Sequence, residues 1–173
     1  AYSNMVREGI DVHSVKRIDD HVTGAALIMV DDSGGENMIV VAPGANSALT
    51  VEDVDRCIQD ILNSDYLLMQ LEVPLVTVEY AARIAHENGV GVILNPAPGR
   101  PLPDELLHVV DVLTPNETEA SVISGIEVVD LASAEQAARK LVYRGCRTVI
   151  VTMGGLGVVI ADECDAEHIP AFK

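Results

Sequence analysis

The sequence predicts an α/β fold built around a mainly parallel sheet. Three observations carry that prediction. From Thr50 onward, short apolar runs alternate with helical patterns, which is the mark of βαβ units with right-handed crossovers. The 173 residues are 49% hydrophobic but only 3% aromatic, with no Trp and one Phe, so the core must be made of Val, Ile, Leu and Ala. Parallel sheets covered by helices are built that way. Finally, polar or Gly-rich stretches follow three of the apolar runs directly: Asn95-Pro96-Ala97-Pro98, Thr114-Pro115-Asn116-Glu117-Thr118-Glu119 and Thr152-Met153-Gly154-Gly155-Leu156-Gly157. Ligands of open α/β sheets bind just beyond the carboxyl ends of strands, so the three point to one shared site.

Residues 1–47 differ from the rest. Thr23–Val30 and Asn37–Val41 are strand-like, and the turn formers Asp31-Asp32-Ser33-Gly34-Gly35-Glu36 lie between them, which predicts a β-hairpin. No amphipathic helix nearby covers it, and a lone hairpin is marginal in water, so it must pack on something else. Gly44-Ala45-Asn46-Ser47 ends this part. Thr50 then caps a helix with Val51, Val54, Ile58 and Ile61 on one face. Tyr66–Met69 is a strand. Pro74 suits a helical first turn, and Leu75, Val78, Ala82 and Ala85 form an apolar stripe that ends near Asn88-Gly89. Val90–Leu94 and Val109–Leu113 are further strands. Ser133 and Gln136 have capping-box spacing ahead of Ala137, Ala138 and Leu141, and Gly145 stops that helix. Thr148–Thr152 and Val158–Ala161 complete the strands. The division expected is 1–47 as a small β-unit with its lead-in and 48–173 as the α/β core.

Composition excludes several functions. The formal net charge is -16, which argues against nucleic-acid binding, where affinity rests on Lys and Arg at phosphates. A nucleotide is not excluded, since backbone N–H groups, helix N-termini and a magnesium ion can hold phosphates. The three cysteines, Cys57, Cys146 and Cys164, have no metal-site or disulfide-framework spacing and fit a reducing, cytoplasmic compartment. No long apolar run implies a membrane span. The five histidines lack zinc-hydrolase spacing, and no Gly-x-Ser-x-Gly elbow occurs.

The chemistry-bearing residues each admit two readings. Thr152, Gly154, Gly155 and Gly157 form either a loop whose bare backbone approaches a phosphate or a tight hairpin into the next strand. The P-loop pattern is absent, since no Gly-Lys-Ser/Thr follows. Asn116 and Glu119 form a capping box, and the same helix terminus favours anions while Glu119 could hold a hydrated magnesium ion. Asn95 either merely ends a strand before proline or orients phosphates. Glu72, after Leu67-Leu68-Met69-Gln70-Leu71, either accepts hydrogen bonds from sugar hydroxyls or is a first-turn acid beside Pro74.

Taken in order, these stretches resemble the PfkB-type carbohydrate kinase family. Thr23-Gly24, Pro43-Gly44-Ala45-Asn46, Leu68-Met69-Gln70-Leu71-Glu72, Asn95-Pro96-Ala97-Pro98, Thr114–Glu119 and Thr152-x-Gly154-x-x-Gly157 carry the resemblance, which runs almost end to end. The Gln-Leu-Glu and Asn-Pro-Ala-Pro stretches look more like the ribokinase branch than like fructokinase or adenosine kinase relatives. The resemblance implies a ribokinase-like three-layer sandwich with a small β-lid, incomplete at both ends. It implies transfer of the ATP γ-phosphoryl group to the 5-hydroxyl of ribose, with magnesium as cofactor. Glu72 would bind the sugar, and Asn95, Asn116, Thr152, Gly154, Gly155 and Gly157 would bind the nucleotide. Glu119 would serve the metal, and the lid would pair two subunits.

The family also carries an N-terminal Gly-Gly sugar-binding segment and a Gly-Ala-Gly-Asp loop holding the anion hole and the catalytic base. Neither motif occurs in these 173 residues, nor do the expected potassium-binding residues, so no catalytic residue is assigned and little turnover is expected of this stretch alone. The alternatives are a non-catalytic nucleotide-binding or assembly module, or a kinase for another sugar or a nucleoside.

Overall fold

Four short apolar runs pair side by side in chain order and form the parallel heart of the molecule. The structure, a computed structural model, describes residues 2–31 and 37–172. The parallel strands are β3 (Tyr66–Met69), β4 (Gly91–Leu94), β5 (Val112–Leu113) and β6 (Thr148–Thr152). Two antiparallel strands extend the sheet, β7 (Val158–Asp162) and β8 (Ala166–Ile169), in the order β3-β4-β5-β6-β7-β8. A separate antiparallel pair, β1 (Ala25–Val30) and β2 (Asn37–Ala42), is the hairpin expected at residues 23–41. Its predicted turn at 32–36 lies outside the described residues.

Sequential parallel strands with right-handed crossovers place every crossover helix on one face. The register agrees with that. Leu94 pairs with Leu113, Leu113 with Val149 and Val149 with Ala161, and all four are buried. Over them lie α4 (Leu75–Glu87), α5 (Asp104–Leu107), α6 (Glu117–Ser124) and α7 (Leu131–Tyr143). Alanines make the fit close: Ala82, Ala85, Ala134, Ala137 and Ala138 are fully buried, which lets helix backbones approach a sheet that has few aromatics. The opposite face carries Leu68, Ile93 and Val112 in one register row and Ile150 with Ile160 in another. These side chains are half-buried or exposed, with Leu68 at 71%.

Local caps fix the helix boundaries. Thr50 and Asp53 form a complete capping box at the start of α2 (Val51–Arg56). The single helix expected there is broken at Cys57, where φ is -110° and ψ 20°, and resumes as α3 (Ile58–Leu62). The apolar stripe predicted for α4 is buried at Val78, Ala82 and Ala85. For α7 the predicted Ser133–Gln136 box is corrected: Asp130 is the N-cap, its carboxylate accepts the Ser133 N–H at 2.8 Å, and Ser133 sits one turn inside. Asp130 and Ser133 form a complete capping box, and Leu131, partly buried against the core, extends the apolar stripe ahead of Ala134.

Four elements depart from the sequence reading. The strand expected over Val109–Leu113 is only Val112–Leu113, because Val109 and Val110 close the turn after α5. The helices α1 (Tyr2–Arg7) and α5 and the edge strand β8 have no counterpart in that reading. Pro43 leads into a 3-10 turn at Gly44–Ala48 beneath the hairpin.

Arg144, at the end of α7, joins three segments. Its guanidinium donates to the Asp104 carboxylate at 2.7 Å, to the Ile123 carbonyl at 2.6 Å and to the Leu102 carbonyl at 2.7 Å. The side chain is largely covered, at 22% exposure. Hydrogen bonds from charged groups to otherwise unpaired carbonyls each count for about 1.5–3 kcal/mol. Arg144→Ala is therefore expected to lower the unfolding free energy by about 2–3 kcal/mol in urea titrations. Arg144→Lys should recover little of it, because three diverging N–H donors are needed. A midpoint unchanged in Arg144→Ala would refute this role.

Candidate functional site

The strand ends do not stop pairing where the strands stop. Beyond β4, the Asn95 N–H donates to the Met69 carbonyl at 2.9 Å, and the Leu71 N–H donates to the Ala97 carbonyl at 2.9 Å. Beyond β5, Asn116 bridges in parallel to Thr152, and the Thr152 N–H donates to the Pro115 carbonyl at 2.9 Å. The loops that carry the candidate residues are thus held in sheet register. Adjacent strands lie about 4.8 Å apart, so Glu72, Asn95, Asn116 and Thr152 mark an edge of roughly 15 Å. That length suits a small acceptor and a phosphate chain laid across the strand ends.

Asn116 and Glu119 sit at the N-terminus of α6. The Asn116 side-chain oxygen accepts the Glu119 N–H at 2.8 Å, and the Glu119 carboxylate accepts the Asn116 N–H at 2.9 Å. The capping box is therefore complete and satisfies two helix-end donors. Glu119 is 8% exposed. Gly99 packs on it, since a Cβ there would lie 3.2 Å from the Glu119 Cα and Cγ atoms, which draws the loop after Asn95 against the helix start. The sequence reading had no signal for Gly99.

The glycine loop is the β6–β7 hairpin, closed by a 3-10 turn at Gly154–Leu156 and by the Met153 N–H to the Gly157 carbonyl at 2.8 Å. Its glycines have different reasons. Gly157 has φ +97°, and a Cβ there would come within 2.1 Å of the Ile169 carbonyl oxygen, so packing alone requires glycine. Gly154 has φ +50° with open space around it, and Gly155 has open space alone. β8 steadies the turn, where the His168 Nε2–H donates to the Leu156 carbonyl at 2.7 Å.

Glu72 lies elsewhere on the edge, beside the hairpin. A cleft of ≈ 590 Å³ separates Ile39 and Val41 of β2 from Leu71, Val73 and Pro98, with Glu72 and Ser47 as its polar side chains. A lone carboxylate in apolar walls is a directional acceptor for hydroxyl groups. Sequence reasoning found Glu72 but not the wall opposite, because Ile39 and Val41 reach it only through the fold. Among the described residues no three His, Cys, Asp or Glu side chains cluster to form a metal cage. The residues that fit a magnesium ion are those of the α6 start, through Glu119. Magnesium keeps several waters and binds with one or two carboxylates plus phosphates, so a full protein cage is not required.

The α/β sheet gathers its polar loops at the strand carboxyl ends, and a β-hairpin is set over one of them. Residues 2–173 match the family model described as "pfkB family carbohydrate kinase", and the chain belongs to that family. It is 46% identical over 166 residues to a ribokinase of Haemophilus influenzae, covering 96% of this chain and 54% of that one. It is 40% identical to a ribokinase of Staphylococcus aureus, covering 95% and 54%. Among solved structures, ribokinase from Thermotoga maritima superposes with a TM-score of 0.83 at 34% identity, over 99% of this chain and 55% of that one. Arabidopsis thaliana ribokinase complexed with ribose and ATP superposes at 0.79 and 28%, over 98% and 57%. The chain spans about half the length of the curated relatives it matches. No helix among the described residues is long and apolar enough to cross a membrane.

The glycine loop gives a direct test. Gly157→Ala should lower thermal stability clearly, whereas Gly155→Ala, in open space, should stay within about 0.5 kcal/mol of the parent. Equal losses in the two variants, read by differential scanning calorimetry, would contradict the packing argument.

Proposed function

We propose that the protein is an ATP-dependent, cytoplasmic sugar kinase that phosphorylates ribose at its 5-hydroxyl. The observation that carries this reading is the ordered strand-end edge, with an isolated carboxylate in the hairpin cleft at one end and a capped helix start beside a glycine hairpin at the other. In this reading Glu72 accepts hydrogen bonds from ribose hydroxyls. Asn95 and Asn116 face the phosphates, Thr152, Gly154 and Gly155 line the nucleotide, and Gly157 keeps that loop in shape. Glu119 orients a hydrated magnesium ion, which when bound offsets the charge of the nucleotide phosphates. Residues 48–173 form the binding core, and residues 1–47 form the lid and its lead-in.

The transfer forms a bond between the sugar oxygen and the γ-phosphorus and breaks the bond from that phosphorus to the β–γ bridging oxygen. Such transfers depend mainly on positioning and charge stabilisation, which backbone loops and a metal supply well. A closed hairpin would exclude water as a competing acceptor. We assign the base that takes the hydroxyl proton to no residue described here.

The hairpin supports one further element of the reading. Leu27, Ile28, Met29 and Val30 on β1 and Met38, Ile39, Val40 and Val41 on β2 are all exposed by about half or more, so both faces of the ribbon are apolar. Pairing with the hairpin of a second copy would cover them, and the same surface favours an assembly module as the second reading. Sedimentation across a range of concentrations distinguishes a self-associating from a strictly monomeric protein.

The central test is Glu72→Gln. Read by titration calorimetry, it should weaken ribose binding by about tenfold or more, the range expected for loss of a charged hydrogen bond, and leave ATP binding and the melting temperature little changed. Absence of ribose binding by the parent, with binding of another sugar or a nucleoside, would transfer the reading to that acceptor.

A further inference from the structure

Between α1 and the hairpin the chain crosses the outer surface of α2 and α3, and it is attached there at two points of different chemistry. At Lys16 the ammonium meets the Asp53 carboxylate at 2.5 Å. Asp53 is buried, with its side chain 6% exposed, and it also accepts Arg56 at 2.6 Å and the Thr50 backbone N–H at 3.0 Å. The Lys16 hydrogen bond holds the Asp53 carboxyl below the usual carboxylate range, so this attachment is charged throughout neutral pH. At His13 both ring nitrogens face carboxylates: Nδ1 lies 2.8 Å from Asp11 on the same segment, and Nε2 lies 3.0 Å from Asp60 on α3. The Ser14 hydroxyl donates to Asp60 as well.

Carboxylates only accept, and a neutral imidazole has a single N–H, so one ring nitrogen of neutral His13 would present its lone pair to an oxygen. The two contacts together require imidazolium. The other charged or titratable groups that face this surface are Lys16 from the segment, Asp53 and Arg56 from α2, and Cys57 at the α2–α3 junction. Histidine is the side-chain type whose ordinary titration falls between about pH 5 and 8. Burial and the nearby Asp60 push the Cys57 thiol up, away from that range.

We propose that residues 11–16 are a proton-controlled strap, fixed at Lys16 and clipped at His13, whose clip releases from α3 near neutral pH. Lys16 stays joined to the buried Asp53, so the release is confined to the α1 side of that anchor. The Asp11 hydrogen bond, followed by Asp60, raises the His13 pKa above 6.5. The clip therefore contributes fully below about 6.5 and is lost as pH rises through the higher folded value. The side chain is 62% exposed, so the response is graded and modest. The strap does not depend on the kinase reading and is tested without activity.

Two measurements on the full chain test it. Trypsin cutting at Lys16 and Arg17 is followed from pH 6 to 8.5 in the parent and in His13→Gln, and the ratio of rates cancels the pH dependence of trypsin itself. The parent should be cut about two- to fivefold more slowly than the variant at pH 6, the range given by exposed ion pairs, and equally fast at pH 8.5. A ratio that does not change with pH overturns the proposal. NMR titration of His13 supplies the second reading: its midpoint should lie above 6.5 and fall in Asp60→Asn. An identical midpoint in the two proteins overturns the clip on α3.

Discussion

The continuation of backbone pairing past the strand ends is the constraint on which the rest depends. A strand-end loop is ordinarily the least determined part of an α/β unit. Here the bonds from Asn95 to Met69, Leu71 to Ala97 and Thr152 to Pro115 keep three loops in the register of the sheet beneath them. The consequence is geometric. Side chains that leave the chain at Glu72, Asn95, Asn116 and Thr152 are spaced by the sheet and not by loop flexibility. Rigid placement of this kind is what a positioning-dependent phosphoryl transfer needs. The cap of α6 adds to it, because the groups that would meet a phosphate chain are the same groups that finish the helix.

That double use explains why the site was half legible in the sequence. Asn116 and Glu119 could be read as a capping box from spacing, and the structure forms that box; the same residues carry the proposed metal and phosphate roles. The glycine stretch could be read as a hairpin or a phosphate loop, and the structure forms the hairpin. The sequence could not rank its glycines, since the reason for Gly157 lies twelve residues away at the Ile169 carbonyl. The cleft wall of Ile39 and Val41 and the packing of Gly99 on Glu119 are long-range, and no local pattern signals them.

The fold divides along the same line. The parallel strands and α4 follow from apolar runs and stripes that are strong over their own length. The short elements were hidden by their neighbours. In α5, four residues between Pro103 and a turn give less than two helical repeats, and the buried Val110 just after it reads as part of the next strand. β8 is Ala-Glu-His-Ile, a polar edge without alternation, and it exists through its ladder with β7. At α7 two residues of capping type stand three apart, and only tertiary burial decides that Asp130 begins the helix. Periodicity identifies what is long, and packing decides what is short.

The uncovered apolar surface is of two kinds, and the difference bears on how the molecule works. The row Leu68, Ile93 and Val112 belongs to the sheet, opposite the helices, and is held in place by the backbone ladder. The hairpin is apolar on both faces, contacts the core through a cleft and not a packed interface, and is reached by a strap attached through ions. An element held by few buried contacts and by exposed charge pairs opens at low free-energy cost. A hairpin acting as the lid of the proposed kinase would do so once per turnover, admitting a polar acceptor and then excluding water from it. In the proposed reading the apolar ribbon would favour closure on the surface that meets it, while the Lys16–Asp53 pair keeps the chain that leads into it attached to α2.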